Sequence, residues 1–352
     1  MTAYINGLSC ISHHDTIDEN YFFENISVLM PTNMMLATEP SYKEYVPAAS
    51  MRRMSHIIKM GLTAGLMSMK KAGLAKIDAI IIGTGIGCYQ DTDTFLRSMS
   101  DNNEQLLTPT AFIQSTHNTV GGQLALTTKC NGTNFTYVHQ NLSFEYALLD
   151  SMTLLYENDA TTVLVGAIDE ITPSLFELFY RTDRIKKTED LQSIWNSTSK
   201  GYSLGEGAAF FNISSTVAPT TQAKITGVKC KQHVENADEL IQETDLFLRS
   251  FGLQINQISL VLSGNCGDEQ MDKKITEFNN KVNLPIGYFK LLCGEYFTSS
   301  GFAMWLAANI IKKQVVPKAI LPENMIVSDI RHILIVNHYH DKQYSLMCVS
   351  VC

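Results

Sequence analysis

The sequence predicts an α/β protein built as two similar halves. Three observations carry this. Apolar runs of strand length alternate with longer stretches of helical periodicity, a polar Ser/Thr-rich stretch interrupts the pattern near residue 214, and the alternation then starts over. Strands alternating with helices imply a mostly parallel sheet covered on both faces.

Taken in order, Ala3 to Ser12 reads as a strand, Ser50 to Ala72 as a long helix and Ala79 to Gly83 as a buried strand. A helix over Thr119 to Thr127, a strand over Asn134 to His139, a helix running through Leu155 and a strand from Thr162 to Ala167 complete an N-terminal half, residues 1–213. Residues 214–222, opening Ser214-Ser215-Thr216 and containing Pro219, read as a linker. The second half, 223–352, repeats the layout. It has strands at Ala223 to Cys230 and Ile258 to Ser263, helices at Ala237 to Phe251 and Gly301 to Lys312, and a closing hairpin of His332 to Asn337 with Tyr344 to Val351. No sequence identity links the halves, so the duplication is read from layout alone.

The 352 residues are 45% hydrophobic, enough to bury a large core. No apolar run approaches the roughly 18 residues of a membrane span. The first thirty residues also lack the basic and apolar regions of a signal peptide. The expectation is a soluble, cytoplasmic chain with no membrane span. Eight cysteines without a CxxC pair fit a reducing compartment. A net charge of −8 argues against nucleic acid, whose binding needs clustered cations.

Gly201-Tyr202-Ser203-Leu204-Gly205-Glu206-Gly207-Ala208 has a GxxxGEGA pattern, with glycines where a turn between strands needs close backbone approach. Upstream lie Arg52-Arg53-Met54, Gly83-Thr84-Gly85-Ile86-Gly87, and Thr108-Pro109 through Asn118-Thr119-Val120-Gly121-Gly122-Gln123. Downstream are Lys290 with Gly294 and Gly301. In this order the stretches resemble the β-ketoacyl synthase family of the thiolase superfamily. The resemblance implies a thiolase-like five-layer αβαβα fold with mixed, mostly parallel sheets. It also implies dimerisation through the strand near Thr136 to His139 and an acyl tunnel beside that interface. The glycines at 83–87 do not match a GxGxxG dinucleotide loop, which would need glycine at Cys88, and read as a turn beneath the site.

Decarboxylative condensation needs a thiolate to carry the acyl chain and neutral donors for the developing oxyanions. At the positions the resemblance assigns to the family's cysteine and two histidines, this sequence has Asn141 (Gln140 if the register slips by one), Gly264 and Glu295. None can do that chemistry. Asn141 is expected to cap a helix, and Glu295 to pair with Lys290. The family's GFGG gate loop corresponds to His338-Tyr339-His340-Asp341, without its glycines. A hairpin with solvated polar side chains is the expected reading there. The alternative makes His338, His340 and Asp341 metal ligands. Cys266 and Cys293 flank the vacated positions and are expected to be buried thiols.

Loss of the catalytic set makes the chain most similar to the chain length factor of type II polyketide synthases, notably aryl polyene and flexirubin-type systems through Phe112-Ile113-Gln114-Ser115-Thr116-His117-Asn118. The resemblance implies a non-catalytic subunit that pairs with an active β-ketoacyl-ACP synthase. Phe112, Ile113, His117, His139 and Gln140 then line the shared tunnel or interface, with no cofactor or metal. Acyl carrier protein would be met mainly through the partner, since the negative charge disfavours a direct grip unless Arg181 to Lys187 provides one. Two alternatives stay open. One is an enzyme with a rebuilt site: an active β-ketoacyl-ACP synthase, a malonyl-ACP decarboxylase, or an acyltransferase using Cys266, Cys293 or His340. The other is a homodimeric scaffold or acyl-binding protein. Another cysteine and histidine meeting inside the cavity would count against the non-catalytic reading.

Overall fold

One helix of the chain is apolar on nearly every side. Ser299–Lys313 buries Phe302, Met304, Trp305, Leu306 and Ile310 around its circumference, as a helix sealed between two other layers must. The helix Ser143–Glu157 beside it buries Phe144, Ala147, Leu148, Met152 and Leu155. The structure, a computed structural model, describes residues 1–18, 22–23, 32–105, 107–191, 194, 197–322 and 325–352. In it these two helices form the central layer between the halves of a ten-stranded sheet.

The N-terminal half comprises β1 (Ala3–Ile11), β2 (Met34–Met35), α1 (Ala48–Met51), α2 (His56–Ala72), β3 (Ala79–Gly83), α3 (Tyr89–Asp101), α4 (Pro109–Gln114), α5 (Thr119–Thr128), β4 (Asn134–Tyr137), α6 (Ser143–Glu157), β5 (Thr162–Asp169), α7 (Pro173–Arg181), β6 (Leu204–Gly205) and β7 (Gly207–Ser214). The C-terminal half comprises β8 (Ala223–Lys231), α8 (Ala237–Arg249), β9 (Leu260–Ser263), α9 (Lys273–Lys281), β10 (Ile286–Tyr288), α10 (Lys290–Cys293), α11 (Ser299–Lys313), β11 (His332–Tyr339) and β12 (Gln343–Ser350).

The sheet runs β4-β3-β5-β7-β1 through the first half and β10-β9-β11-β12-β8 through the second. Within each half the first three strands pair in parallel and the rest antiparallel. The two orders are therefore the same, and β1 meets β8 antiparallel over Ala3 to Ile5. Alternation along β3 shows how the layers are fed: Ile81 faces the central helices, while Ile80 and Ile82 face α2 and α5 with Leu62, Val120 and Leu124. A strand buried on both faces reads as one apolar run for this reason. On the far side α8 and α9 pack Leu240, Leu248, Ile275 and Phe278 against Val261, Leu334 and Leu346. The result is the five-layer αβαβα order.

Several boundaries differ from the sequence reading. The helix expected from Ser50 is two helices, with Arg52 to Met54 in the turn between them. α2 starts at His56, where the backbone N–H of Ile57 donates to Glu170 Oε2 from a distant loop, a tertiary cap that local sequence does not show. β4 stops at Tyr137 because the chain turns sharply at Gln140. Residues 215–222 do not hang free: Gln222 N–H donates to Ile5 O at 2.8 Å and Thr221 Oγ1 to Asn6 Oδ1 at 2.6 Å.

Glu145, in the first turn of α6, is buried in the central layer and accepts from Ser345 Oγ at 2.7 Å. Burial pushes its carboxyl up to about 7. The unfolded chain releases this proton near pH 4.3, so from there to about pH 7 the folded state holds more protons and stability falls as pH rises, levelling off above 7. Glu145→Gln should remove this loss and raise stability relative to wild type at pH 8, by an amount on the order of 3 kcal/mol. Urea denaturation at pH 5 and pH 8 checks it; the same pH dependence in both proteins would exclude Glu145 as its source.

Candidate functional site

β4 leads through a single 3-10 turn, Gln140–Leu142, into α6. Gln140 has φ of +50°, a left-handed conformation that a Cβ disfavours. The resulting strand-to-helix elbow turns Asn141 inward, where it is buried. Asn141 does not cap the helix as expected: the turn places Leu142 at the cap position, and Asn141 Nδ2 instead donates to His338 O at 3.2 Å. Its Oδ1 has no partner.

The end of β11 comes this close because Gly264, ending β9, has no side chain. A Cβ built there would collide with the Asn337 side chain and the β11 backbone, while Gly264 N–H donates to Val336 O at 2.8 Å. The space beside Gly264 is filled from the neighbouring strand. Beyond Gly264, Asp272 gathers the loop. It accepts from the backbone N–H groups of Cys266 (2.9 Å) and Gly267 (2.7 Å), from Cys266 Sγ at 3.3 Å, and pairs with His338 Nε2 at 3.0 Å. Burial raises the Asp272 carboxyl, but the His338 hydrogen bond and charge with the two backbone donors outweigh it and hold it below the usual range.

Glu295 belongs to a buried ion pair. Lys290 Nζ lies 2.6 Å from Glu295 Oε2, with side chains 1% and 5% exposed. Burial pulls the Lys290 amine down, but the Glu295 carboxylate outweighs it and holds it above its ordinary value. Burial also pushes Glu295 up; at 2.6 Å the opposite charge decides, and the pair is ammonium and carboxylate. Glu295 lines a cleft of about 320 Å³ with Ile86, Asp169, Tyr202, Phe297 and Tyr339.

Cys266 and His338 do meet, since their ligating atoms and those of Asp272 all lie within 4.8 Å of one another. His338 Nε2 is engaged by Asp272, and burial with the Asp272 charge pushes the Cys266 thiol far above its ordinary value. Cys293 is likewise raised well above by burial. His340 stands apart from this cluster, half-buried against the Tyr339 ring at 4.1 Å, with burial lowering it to about 4.

The gate hairpin is less solvated than expected. His338 is 1% exposed because it ends a strand held between β9 and β12. His340 and Asp341 take left-handed φ of +49° and +54°, and Asp341 Oδ2 pairs with Lys274 Nζ at 3.1 Å, so His338, His340 and Asp341 do not converge on one point. The basic stretch at Arg181 to Lys187 is also not a free cationic surface. Lys186 is buried against Ser197 and Ser199 Oγ, Arg184 stacks on Phe179 at 5.1 Å, and Arg181 and Lys187 pair with Glu177 and Asp183.

Of the interface candidates, Phe112 and Ile113 on α4 are 58% and 65% exposed, and Phe95 packs on Phe112 at 5.3 Å. His117, His139 and Gln140 are exposed as well, with the His139 ring 5.2 Å from that of Tyr146. α5 packs on β4, which lies at the sheet edge with Phe135 and Val138 exposed, and Leu126 of α5 is exposed too. Glu206 of the GEGA run is structural: it accepts from Ala37 and Ile171 N–H at 2.9 and 2.7 Å and pairs with His56 Nε2 at 3.2 Å.

Residues 31–198 match the family described as "Beta-ketoacyl synthase, N-terminal domain". No curated protein matches the chain by sequence. Among solved structures, a ketosynthase in complex with its chain length factor from Xenorhabdus doucetiae superposes with a TM-score of 0.80 at 14% identity, covering 99% of this chain and 98% of that one. The ishigamide ketosynthase/chain length factor gives 0.79 at 15% identity, covering 100% and 99%. A β-ketoacyl synthase from Burkholderia phymatum STM815 gives 0.79 at 13%, covering 99% of each. The fold is the thiolase-like ketosynthase fold.

Glu295→Ala would strand the Lys290 ammonium and should cost roughly 3–5 kcal/mol, whereas the double change Lys290→Met with Glu295→Leu should cost far less. Denaturant midpoints of the two variants decide it. Equal losses would show that the ion pair is not what the single change breaks.

Proposed function

We propose that this chain, with the ketosynthase fold, is a chain-length-factor-type subunit that pairs with an active ketosynthase and forms part of the wall of its acyl tunnel. The single observation that carries the non-catalytic half is the filling of Gly264's side-chain space by Asn337. An imidazole cannot enter there without displacing β11, so a partner must supply the chemistry. Asn141 at the elbow and the Lys290–Glu295 pair point the same way.

The pairing half rests on the edge of the sheet. β4 presents an open hydrogen-bonding edge beside exposed Phe135, Val138, Leu126, Phe112 and Ile113, and such edges are normally covered. Strand addition across β4 by a partner's equivalent strand would satisfy both the backbone and the apolar surface. Phe112, Ile113, His117, His139 and Gln140 then stand at the junction, where side-chain bulk limits the growing chain. The wording of Phe112 to Asn118 supports an aryl polyene or flexirubin-type product, with carrier protein docking mainly on the partner.

Co-expression with a ketosynthase encoded beside it should yield a 1:1 complex on sizing chromatography, and Phe135→Asp should dissociate it. A stable homodimer that never takes up the ketosynthase would favour the scaffold alternative. The isolated chain, incubated with acyl- and malonyl-carrier protein, should show neither a covalent acyl adduct nor free acetyl product by mass spectrometry; either species would favour an enzyme. With the complex intact, Phe112→Ala should lengthen the product of the reconstituted pair, and an unchanged product profile rejects the tunnel-wall role.

A further inference from the structure

The cluster of Cys266, Asp272 and His338 has no place in the pairing function, and its geometry is that of three metal donors. The side chains come from the loop after β9, the residue before α9 and the end of β11, and all three residues are buried. Cys266 Sγ and His338 Nε2 both address the same atom, Asp272 Oδ1, at 3.3 and 3.0 Å, and all three donors lie within 4.8 Å of one another. Tetrahedral zinc with bonds of about 2.0–2.3 Å separates its ligands by about 3.3–3.7 Å. The two distances to Asp272 Oδ1 are already close to that spacing.

Buried polar atoms without partners accompany the cluster. His338 Nδ1 has no hydrogen-bond partner, and Glu295 Oε1 is likewise buried without one.

We infer that Cys266, Asp272 and His338 form a buried site for a thiophilic divalent cation such as zinc, which ties the β9–α9 loop to the end of β11. Binding breaks the Cys266 S–H bond, whose proton leaves to buffer, and takes the proton from His338 Nε2, leaving the ring protonated at Nδ1; the lone pairs of the sulfur and of Nε2 then form the metal bonds with no change of oxidation state. The site is structural and stands whether or not the chain pairs with a ketosynthase.

The whole chain, stripped with chelator and then given Zn²⁺ or Co²⁺ alone, tests it. The expected result is one equivalent of zinc retained through gel filtration, a thiolate-to-cobalt charge-transfer band and a raised Tm. Cys266→Ser and His338→Gln should each weaken binding at least tenfold and abolish the Tm rise, while Cys352→Ser changes neither. X-ray absorption of the zinc-loaded wild type should show one sulfur in the first shell, a reading that does not depend on any variant folding. No cobalt–thiolate band in wild type, no sulfur in the first shell, or a band that persists in Cys266→Ser overturns the site.

Discussion

Asn141 after β4, Gly264 after β9, and Asn337 and His338 near the end of β11 lie in the buried interior, where polar groups must find their partners inside the protein. Buried polar atoms without partners are expensive. This constraint explains why the surroundings of Asn141, Gly264 and Glu295 are neither empty nor loose. A backbone without a side chain admits Asn337, an inward amide reaches the His338 carbonyl, and a carboxylate is acceptable only with Lys290 against it. Each replacement makes the others easier to accommodate. The elbow at Gln140, a backbone shape disfavoured for any residue with a Cβ, is retained although the residue after it is no nucleophile. The atoms left over, Asn141 Oδ1, Glu295 Oε1 and His338 Nδ1, mark where that accommodation is incomplete.

Much of this was legible in the sequence. The apolar runs at Ala79 to Gly83 and Thr162 to Ala167 gave buried strands within a residue or two, since burial on both faces leaves no other pattern. The spacing of Lys290 and Glu295 pointed to the pair they form. What could not be read depends on contacts across the sheet. Nothing near Asn337 signals that it occupies Gly264's space, and nothing near Glu170 signals that it caps α2. His338 and His340 looked equivalent by period, yet the strand ends between them and only the first is sealed. The role of Asp272 as the hub for Cys266 and His338 likewise required the fold.

The two halves also differ from what their separate sequences suggest. Each contains a complete five-stranded sheet of the same order, which invites the idea of two independent units. The central helices contradict it. α6, from the first half, packs on β8 of the second, and α11, from the second, packs on β1, β5 and β7 of the first.

Each half therefore supplies the floor on which the other rests. A nascent N-terminal half leaving the ribosome would expose the inner faces of β1, β5 and β7 until residues nearly a hundred positions further along had been synthesised. Contacts that close over such separations are slow to form, and the waiting surface is of the kind that aggregates. The arrangement makes assistance by a chaperone during synthesis a cost written into the topology itself.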